Sequence, residues 1–141
     1  MTGEQLFLRY AWPCAVDKVV LGIIRYEHYA EMRECLHKGQ DPQRKRLKFC
    51  FPNAFKATRA FAELHDREVW SLENVRDYWR SGHAGKGECA VFRATVIASG
   101  SVASTVQLED KERKKVLNPY SLAIHAHQTV YIHKGCVVEI G

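Results

Sequence analysis

The sequence has no long hydrophobic run. Its longest uninterrupted apolar stretch covers the six residues 19–24, whereas a helix that spans a bilayer needs about 20 residues. The first residues also lack the order of basic, apolar and small residues that marks a secretory signal. We therefore expect a cytoplasmic protein that does not have a membrane among its partners.

Cysteines at the spacing of a zinc knuckle or a disulfide framework are absent too. The chain has five cysteines, an odd number, and neighbouring ones are at least 15 positions apart. They are Cys14, Cys35, Cys50, Cys89 and Cys136. This pattern agrees with a reducing compartment. Any cysteine with a chemical role acts alone or with histidines that the fold brings close.

Motifs of the common enzyme classes are also missing. The chain contains no Gly-x-Ser-x-Gly, no Walker loop, no dinucleotide fingerprint and no His-Glu-x-x-His. We therefore expect a binding protein and not an enzyme. The alternative is a hydrolase assembled from Cys89, His83 and a distant acid.

The composition supplies enough apolar material for a core. Of 141 residues, 46% are apolar and 26% are charged, which is typical of one domain or two very small ones. The 21 basic residues exceed the 16 acidic residues by five. This excess permits a nucleic acid or an acidic protein as partner and requires neither.

The character of the chain changes near the glycine-rich segment 81–87. Glu, Arg, Leu, Ala and Phe are frequent before it, and Thr, Val, Ile and Ser alternate over short runs after it. We predict an α+β fold with a helical region over 1–87 and a β region over 88–141. In this fold a bundle of three or four short helices packs on a small five-stranded, OB-like β-barrel.

Apolar spacing and capping residues predict the helices. A helix over 26–38 is expected to end at Gly39. Three more are predicted: a basic helix capped by Asp41, a run from Asn53 after the break at Pro52, and a short helix capped by Ser71. The opening residues 6–22 fit no clear period, and we interpret them as an extended segment followed by helix.

Alternating residues and turn signals predict the strands. The expected strands are 91–97, 102–108, 113–117, 129–133 and 136–140. Five short strands in about 50 residues are too few for a sandwich and enough for a small barrel of the oligonucleotide- and oligosaccharide-binding type.

The β region resembles a known family. Its segments Cys89-Ala-Val-Phe-Arg-Ala-Thr-Val-Ile, Arg113-Lys-Lys-Val-Leu-Asn and Val130-Tyr-Ile-His-Lys-Gly-Cys-Val-Val-Glu-Ile140 are similar to the small hydrogenase-maturation chaperones, the HypC/HupF type. The resemblance covers residues 88–141. It implies a cytoplasmic assembly factor that helps to carry an iron centre to the apo large subunit of nickel-iron hydrogenase. The family's cysteine stands at the mature N-terminus, whereas Cys89 is internal.

The resemblance also implies a contact site. Cys89 corresponds to the family's iron-ligating contact cysteine and His133 to its strand histidine, and the glycine-rich linker would let His83 approach them. A thiolate with imidazoles suits iron or zinc. The predicted partner is a protein client, either a metalloenzyme subunit or a fellow maturation factor. The alternative is a half-buried structural Cys89 with His133 on the surface.

A second function is suggested by a run of basic residues. The run consists of Arg44, Lys45, Arg46 and Lys48, with Lys56 and Arg59 further on. Together with a small barrel, it would suit a nucleic-acid-binding protein. The alternative is that the run pairs with carboxylates across a helix interface. The acidic candidates for this pairing are Glu27, Glu31, Glu34 and Asp41.

Overall fold

A computed structural model describes residues 1–82 and 90–141. The chain divides into two compact units, Met1–Gly82 and His83–Gly141. The first unit is helical and the second is β, so the predicted α+β class is confirmed. The predicted boundary between residues 87 and 88 lies outside the described residues.

Short helices make up the first unit. They are α1 (Gly3–Ala11), α2 (Ala15–Val20), α3 (Tyr26–Lys38), α4 (Arg44–Cys50), α5 (Pro52–Leu64) and α6 (Leu72–Asp77). A 3₁₀ turn, Trp12–Cys14, joins α1 to α2, and a π-helical turn, Tyr78–Gly82, follows α6. The four predicted helices are present, and α1 and α2 precede them. In the described residues, we find no helix with the length and apolarity to cross a membrane.

The extended segment predicted for the opening of the chain is wrong, because α1 begins there. Thr2 caps this helix by accepting a hydrogen bond from the Gln5 amide at 3.1 Å. Pro13 follows in the 3₁₀ turn, where it needs no amide hydrogen. Most residues of α1 are buried, and its polar residues Glu4 and Arg9 are half-buried, so no exposed face marks the helix.

Two of the three predicted helix caps are confirmed. Gly39 ends α3 in the left-handed conformation with φ of 66°, and Ser71 caps α6 by accepting from the Asn74 amide at 3.2 Å. The cap predicted at Asp41 is wrong, because α4 begins only at Arg44. Asp41 instead accepts a hydrogen bond from the Thr2 hydroxyl at 2.7 Å.

The core of the helical unit surrounds Phe7 of α1. Its ring meets those of Phe51, Trp70 and Trp79 edge-on, with centroids 6.2, 5.4 and 5.7 Å away. Edge-to-face packing of this kind adds about 0.5–1.5 kcal/mol per pair to the effect of burial. The close approach also involves backbone, because a Cβ on Gly3 would overlap the Trp70 carbonyl oxygen.

Five strands close into a ring in the second unit. They are β1 (Val91–Ala98), β2 (Ala103–Leu108), β3 (Arg113–Leu117), β4 (Thr129–His133) and β5 (Cys136–Ile140), in the spatial order β1-β2-β3-β5-β4. Neighbours are antiparallel, except for the parallel contact between β3 and β5. The five predicted strands are confirmed to within about a residue.

Alternation along the strands separates the inside of the ring from the outside. Every second residue of β1 and β2 faces inward, as with Ala94, Val96 and Val106. The buried inner cluster is Ala94, Val96, Val106, Val116, Ile124, Val130, Ile132 and Val137. The side chains between these positions on β1, β2 and β3 therefore face outward.

We expect the Gly3→Ala substitution to destabilise the helical unit by about 1–3 kcal/mol, because its Cβ must displace the Trp70 carbonyl. Urea unfolding followed by tryptophan fluorescence tests this unit alone, since the three tryptophans, at 12, 70 and 79, all lie in it.

The control is Ala60→Ser on the exposed side of α5, which should change stability by less than about 0.5 kcal/mol. Replacing glycine with alanine ordinarily stabilises a helix by about 1 kcal/mol. A gain at Gly3 would therefore contradict the close contact between α1 and Trp70.

Candidate functional site

The predicted contact site falls largely outside the described part of the chain. Cys89 and His83 are not among the described residues. His133 lies on β4 opposite Val91 and Cys136, and it is completely buried, so the alternative surface position for it is wrong. Cys136 is the residue paired with His133 in the register of β4 and β5. Together they would supply two metal ligands, whereas structural zinc takes four. Within residues 1–82 and 90–141, no group of three or more histidine, cysteine or acidic side chains is placed to hold a metal.

Burial favours the protonated form of three of the described thiols. It raises the pKa of Cys35, Cys50 and Cys136 above the ordinary value, and nearby carboxylates raise that of Cys35 further. Cys50 faces the core of the helical unit with 1% of its surface exposed. Because the thiolate is the nucleophile and the metal ligand, these three cysteines are poorly suited to either role.

Two cations of the basic run have acidic partners. The Arg44 Nε donates to Glu4 Oε1 at 2.8 Å, and the Arg46 Nε donates to Glu31 Oε2 at 2.9 Å. A further Arg46 nitrogen lies 3.0 Å from the His28 Nε2. The predicted pairing of the run with carboxylates is therefore confirmed for Arg46 and Glu31, while Arg44 pairs with a residue of α1 that the prediction did not include.

Lys48 lies in a different environment, which we call the α4–α5 basic surface. This surface comprises Arg44, Lys48, Phe55, Arg59 and Trp70. The Lys48 Nζ and the Arg59 Cζ lie 5.0 and 5.6 Å from the centroid of the Phe55 ring. Phe55 stacks on Trp70 at 5.7 Å, and the Arg44 Cζ is 5.9 Å from the Trp70 ring. Cation–π attraction holds the three cations beside two stacked, half-buried rings.

The turn between α4 and α5 produces this arrangement. Phe51 leaves helical geometry there, with φ of −128° and ψ of 60°, and Pro52 occupies the first position of α5. Lys48 near the end of α4 is thereby brought over Phe55 in the first turn of α5. Arg59 reaches the same ring from one turn further along α5, at the i,i+4 spacing that makes helical neighbours.

Lys48 and Arg59 concentrate positive charge on this surface. In the described part of the chain, neither has a carboxylate within 4 Å. Residues 44–59 contain six basic residues and no acidic one. An anion placed between the two side chains would relieve their mutual repulsion. Phe49 on α4 leaves 65% of its surface exposed, so the same segment also offers an aromatic ring to solvent.

We expect native alkylation at about pH 7.5 to leave Cys50 unmodified and to modify Cys35 and Cys136 slowly, because burial disfavours their thiolates. The rates at Cys35 and Cys136 should rise with pH as the thiolate fraction grows. Peptide mass spectrometry of iodoacetamide-treated protein measures each site. The same reaction in urea is the control, and equal rates at Cys50 in both solutions would contradict its burial.

Comparisons with known proteins give no match. No family model, no curated protein and no solved structure matches it. The similarity of residues 88–141 to hydrogenase-maturation chaperones therefore depends on the quoted sequence segments alone.

Proposed function

We propose that the protein binds single-stranded nucleic acid and holds its phosphate backbone on the α4–α5 basic surface. The observation that carries this proposal is the convergence of Lys48 and Arg59 on one ring without an acidic partner in the described residues. Neutralising phosphates with lysine and arginine supplies most of the affinity in non-specific nucleic-acid binding.

Aromatic rings next to these cations support nucleic acid over other anions. The surface combines cations with the half-buried rings of Phe55 and Trp70, and the exposed Phe49 lies on the same helix as Lys48. Bases stack on aromatic side chains with about 1–3 kcal/mol each, largely without regard to sequence. A surface that joins both elements suits an unpaired strand, whose bases are free to stack.

The pairs that Arg44 and Arg46 form limit their contribution. Both arginines already donate to carboxylates, and a phosphate would have to compete with these partners. One member of each pair is mostly shielded from solvent, with Glu4 13% and Arg46 22% exposed, so the carboxylates weaken the contribution of these arginines. Lys48 and Arg59 are therefore the main phosphate contacts in this proposal.

We expect the double substitution Lys48→Gln and Arg59→Gln to weaken binding of a fluorescent oligonucleotide about tenfold or more at roughly 50 mM salt. Fluorescence anisotropy over a salt series measures the affinity and its salt dependence. The slope of log K against log salt should fall by about two, since two phosphate contacts are lost.

The matched control is Arg25→Gln with Arg33→Gln, which removes the same charge from exposed positions at and within α3. This control should retain most of the affinity, and circular dichroism should show both variants folded. An equal loss in both variants would mean that net charge alone attracts the strand. Absence of binding by the unsubstituted protein at low salt would reject the function.

The second candidate function is the assembly factor that the resemblance implies, with the β unit docking a protein client. The closed ring of five short strands with one parallel contact supports an OB-like barrel, the type of small barrel expected for that family. In this proposal Cys89 makes the client or metal contact, with iron or zinc as the candidate metal. His133 would then act from a buried position.

We expect Cys89→Ala to abolish co-purification of a metal or client while leaving the thermal midpoint nearly unchanged. Metal analysis of protein expressed and purified anaerobically, with both variants side by side, measures the first quantity, and circular dichroism measures the second. Cys35→Ala is the control thiol, because burial raises the pKa of Cys35. A Cys89→Ala protein that only melts early would make this cysteine structural and remove the candidate.

A further inference from the structure

The outer side of the closed sheet carries a second set of cations. We call the polar outward-facing residues of β1, β2 and β3 the outer sheet face. They are Arg93, Thr95, Thr105, Gln107, Arg113 and Lys115. All six are exposed or half-buried, because each alternates with a residue that faces the inner cluster.

Strand register places these side chains in adjoining rows. Thr95 pairs with Gln107, and Gln107 pairs with Arg113. Thr105 pairs with Lys115 in the next row. Neighbouring strands are about 4.8 Å apart and alternate residues on a strand roughly 7 Å apart. The cations of β3 therefore border a strip of hydroxyl and amide groups on β2.

The cations of this face lack acidic partners in the described residues. None of Arg93, Arg113 and Lys115 has a carboxylate within 4 Å. Lys114 points to the opposite side of β3, where its Nζ lies 3.9 Å from Glu112 and 5.9 Å from the centroid of the Phe92 ring. Lys115 is thus a cation without a carboxylate partner in the described residues, and its neighbour Lys114, on the other side of β3, lies near a carboxylate.

A groove of about 260 Å³ opens on this face between β1 and β2. Arg93, Thr95 and Gln107 line it together with Glu109 and Lys111 of the turn after β2. Its volume is just below the roughly 300–1,000 Å³ typical of ligand pockets, which suits one small planar group. Glu109 is the one carboxylate among the residues that line the groove. An amino group can donate to it, as the exocyclic amine of cytosine donates to acidic side chains in nucleic-acid complexes.

We propose that the outer sheet face is a second site for single-stranded nucleic acid, in which Arg113 and Lys115 hold phosphates and the groove takes an unpaired base whose amino group donates to Glu109. This inference rests on the proposed nucleic-acid function and specifies its base preference. Thr95 and Gln107 supply a hydroxyl and an amide for the remaining polar edge of the base. The site selects bases with an exocyclic amine over bases with a carbonyl at the same position.

Neighbouring residues of β3 test the phosphate contact. In the full-length protein, Lys115→Gln should weaken binding of a labelled oligocytidylate of about 15 nucleotides by roughly threefold or more and lower the salt slope by about one. Lys114→Gln removes the same charge one position away and should change neither quantity. Equal effects of the two substitutions would overturn the phosphate contact at the outer sheet face.

Two matched probes test the base contact. Oligocytidylate and oligouridylate of equal length differ at the base position that carries an amine in cytosine and a carbonyl in uracil. The unsubstituted protein should favour oligocytidylate by about fivefold. Glu109→Gln, whose amide both donates and accepts, should bring the ratio close to one. A ratio that Glu109→Gln does not change would overturn the role of this carboxylate.

These substitutions and probes distinguish an absent second site from an absent nucleic-acid function. If the Lys48→Gln and Arg59→Gln protein loses affinity while Lys115→Gln matches Lys114→Gln, the outer sheet face is rejected and the α4–α5 basic surface stands. If the unsubstituted protein binds neither probe at roughly 50 mM salt, both are rejected. If Lys115→Gln and Glu109→Gln act as expected, the second site stands whatever the α4–α5 variants do.

Discussion

The packing of Phe7 against Trp70 connects the core of the helical unit to its basic surface. Trp70 has Phe7 at its edge, 5.4 Å away, and Phe55 stacked on its face at 5.7 Å. The Lys48 and Arg59 side chains in turn lie over the Phe55 ring. Aromatic contacts are stiff because a ring has few rotatable bonds, so a displacement of Trp70 is passed on to Phe55. The absence of a side chain at Gly3 permits this chain of contacts, since α1 approaches the Trp70 backbone there. The positions of the surface cations in this unit therefore depend on the packing of its core.

Ion pairing decides which basic residues are available to a ligand. The run at 44–48 looks uniform in sequence, yet Arg44 and Arg46 face carboxylates while Lys48 faces a ring. The same contrast recurs on β3, where Lys114 lies near Glu112 and Lys115 has no such neighbour in the described residues. Lys114 and Lys115 differ because successive residues of a strand face opposite sides, and Arg46 differs from Lys48 because residues two apart on a helix lie on different faces. Arg44 lies on the same face as Lys48 and differs from it because Glu4 of α1 is within reach. The density of charge along the chain is thus a poor guide to the density of free charge on the surface.

Much of the fold was predictable, and the reasons for success and failure are local. The strands were predicted closely because alternation and turn residues act over a few positions, and Gly39 marked the end of α3 for the same reason. The start of α4 was missed because the Asp41 carboxylate accepts a hydrogen bond from Thr2, a partner 39 positions away. In the α4–α5 basic surface, too, contacts within one helix were predictable and contacts between distant residues were not. Phe55 and Arg59 stand at helical spacing and could have been paired from sequence, whereas Lys48 reaches Phe55 across a helix junction and Trp70 joins them through tertiary packing.

Net charge alone would have hidden the candidate function. Residues 44–59 carry six positive charges and no negative ones, while the whole chain has an excess of five. The rest of the chain therefore sums to a charge of minus one. Glu4 and Glu31 in that remainder pair with Arg44 and Arg46, so the local positive field of the segment comes mainly from its three lysines and Arg59. Such a concentrated field raises the rate at which an anionic strand associates, and salt screens it over about 10 Å at 0.1 M. A mildly basic protein can in this way carry a strongly basic surface, because the remaining charges nearly cancel one another.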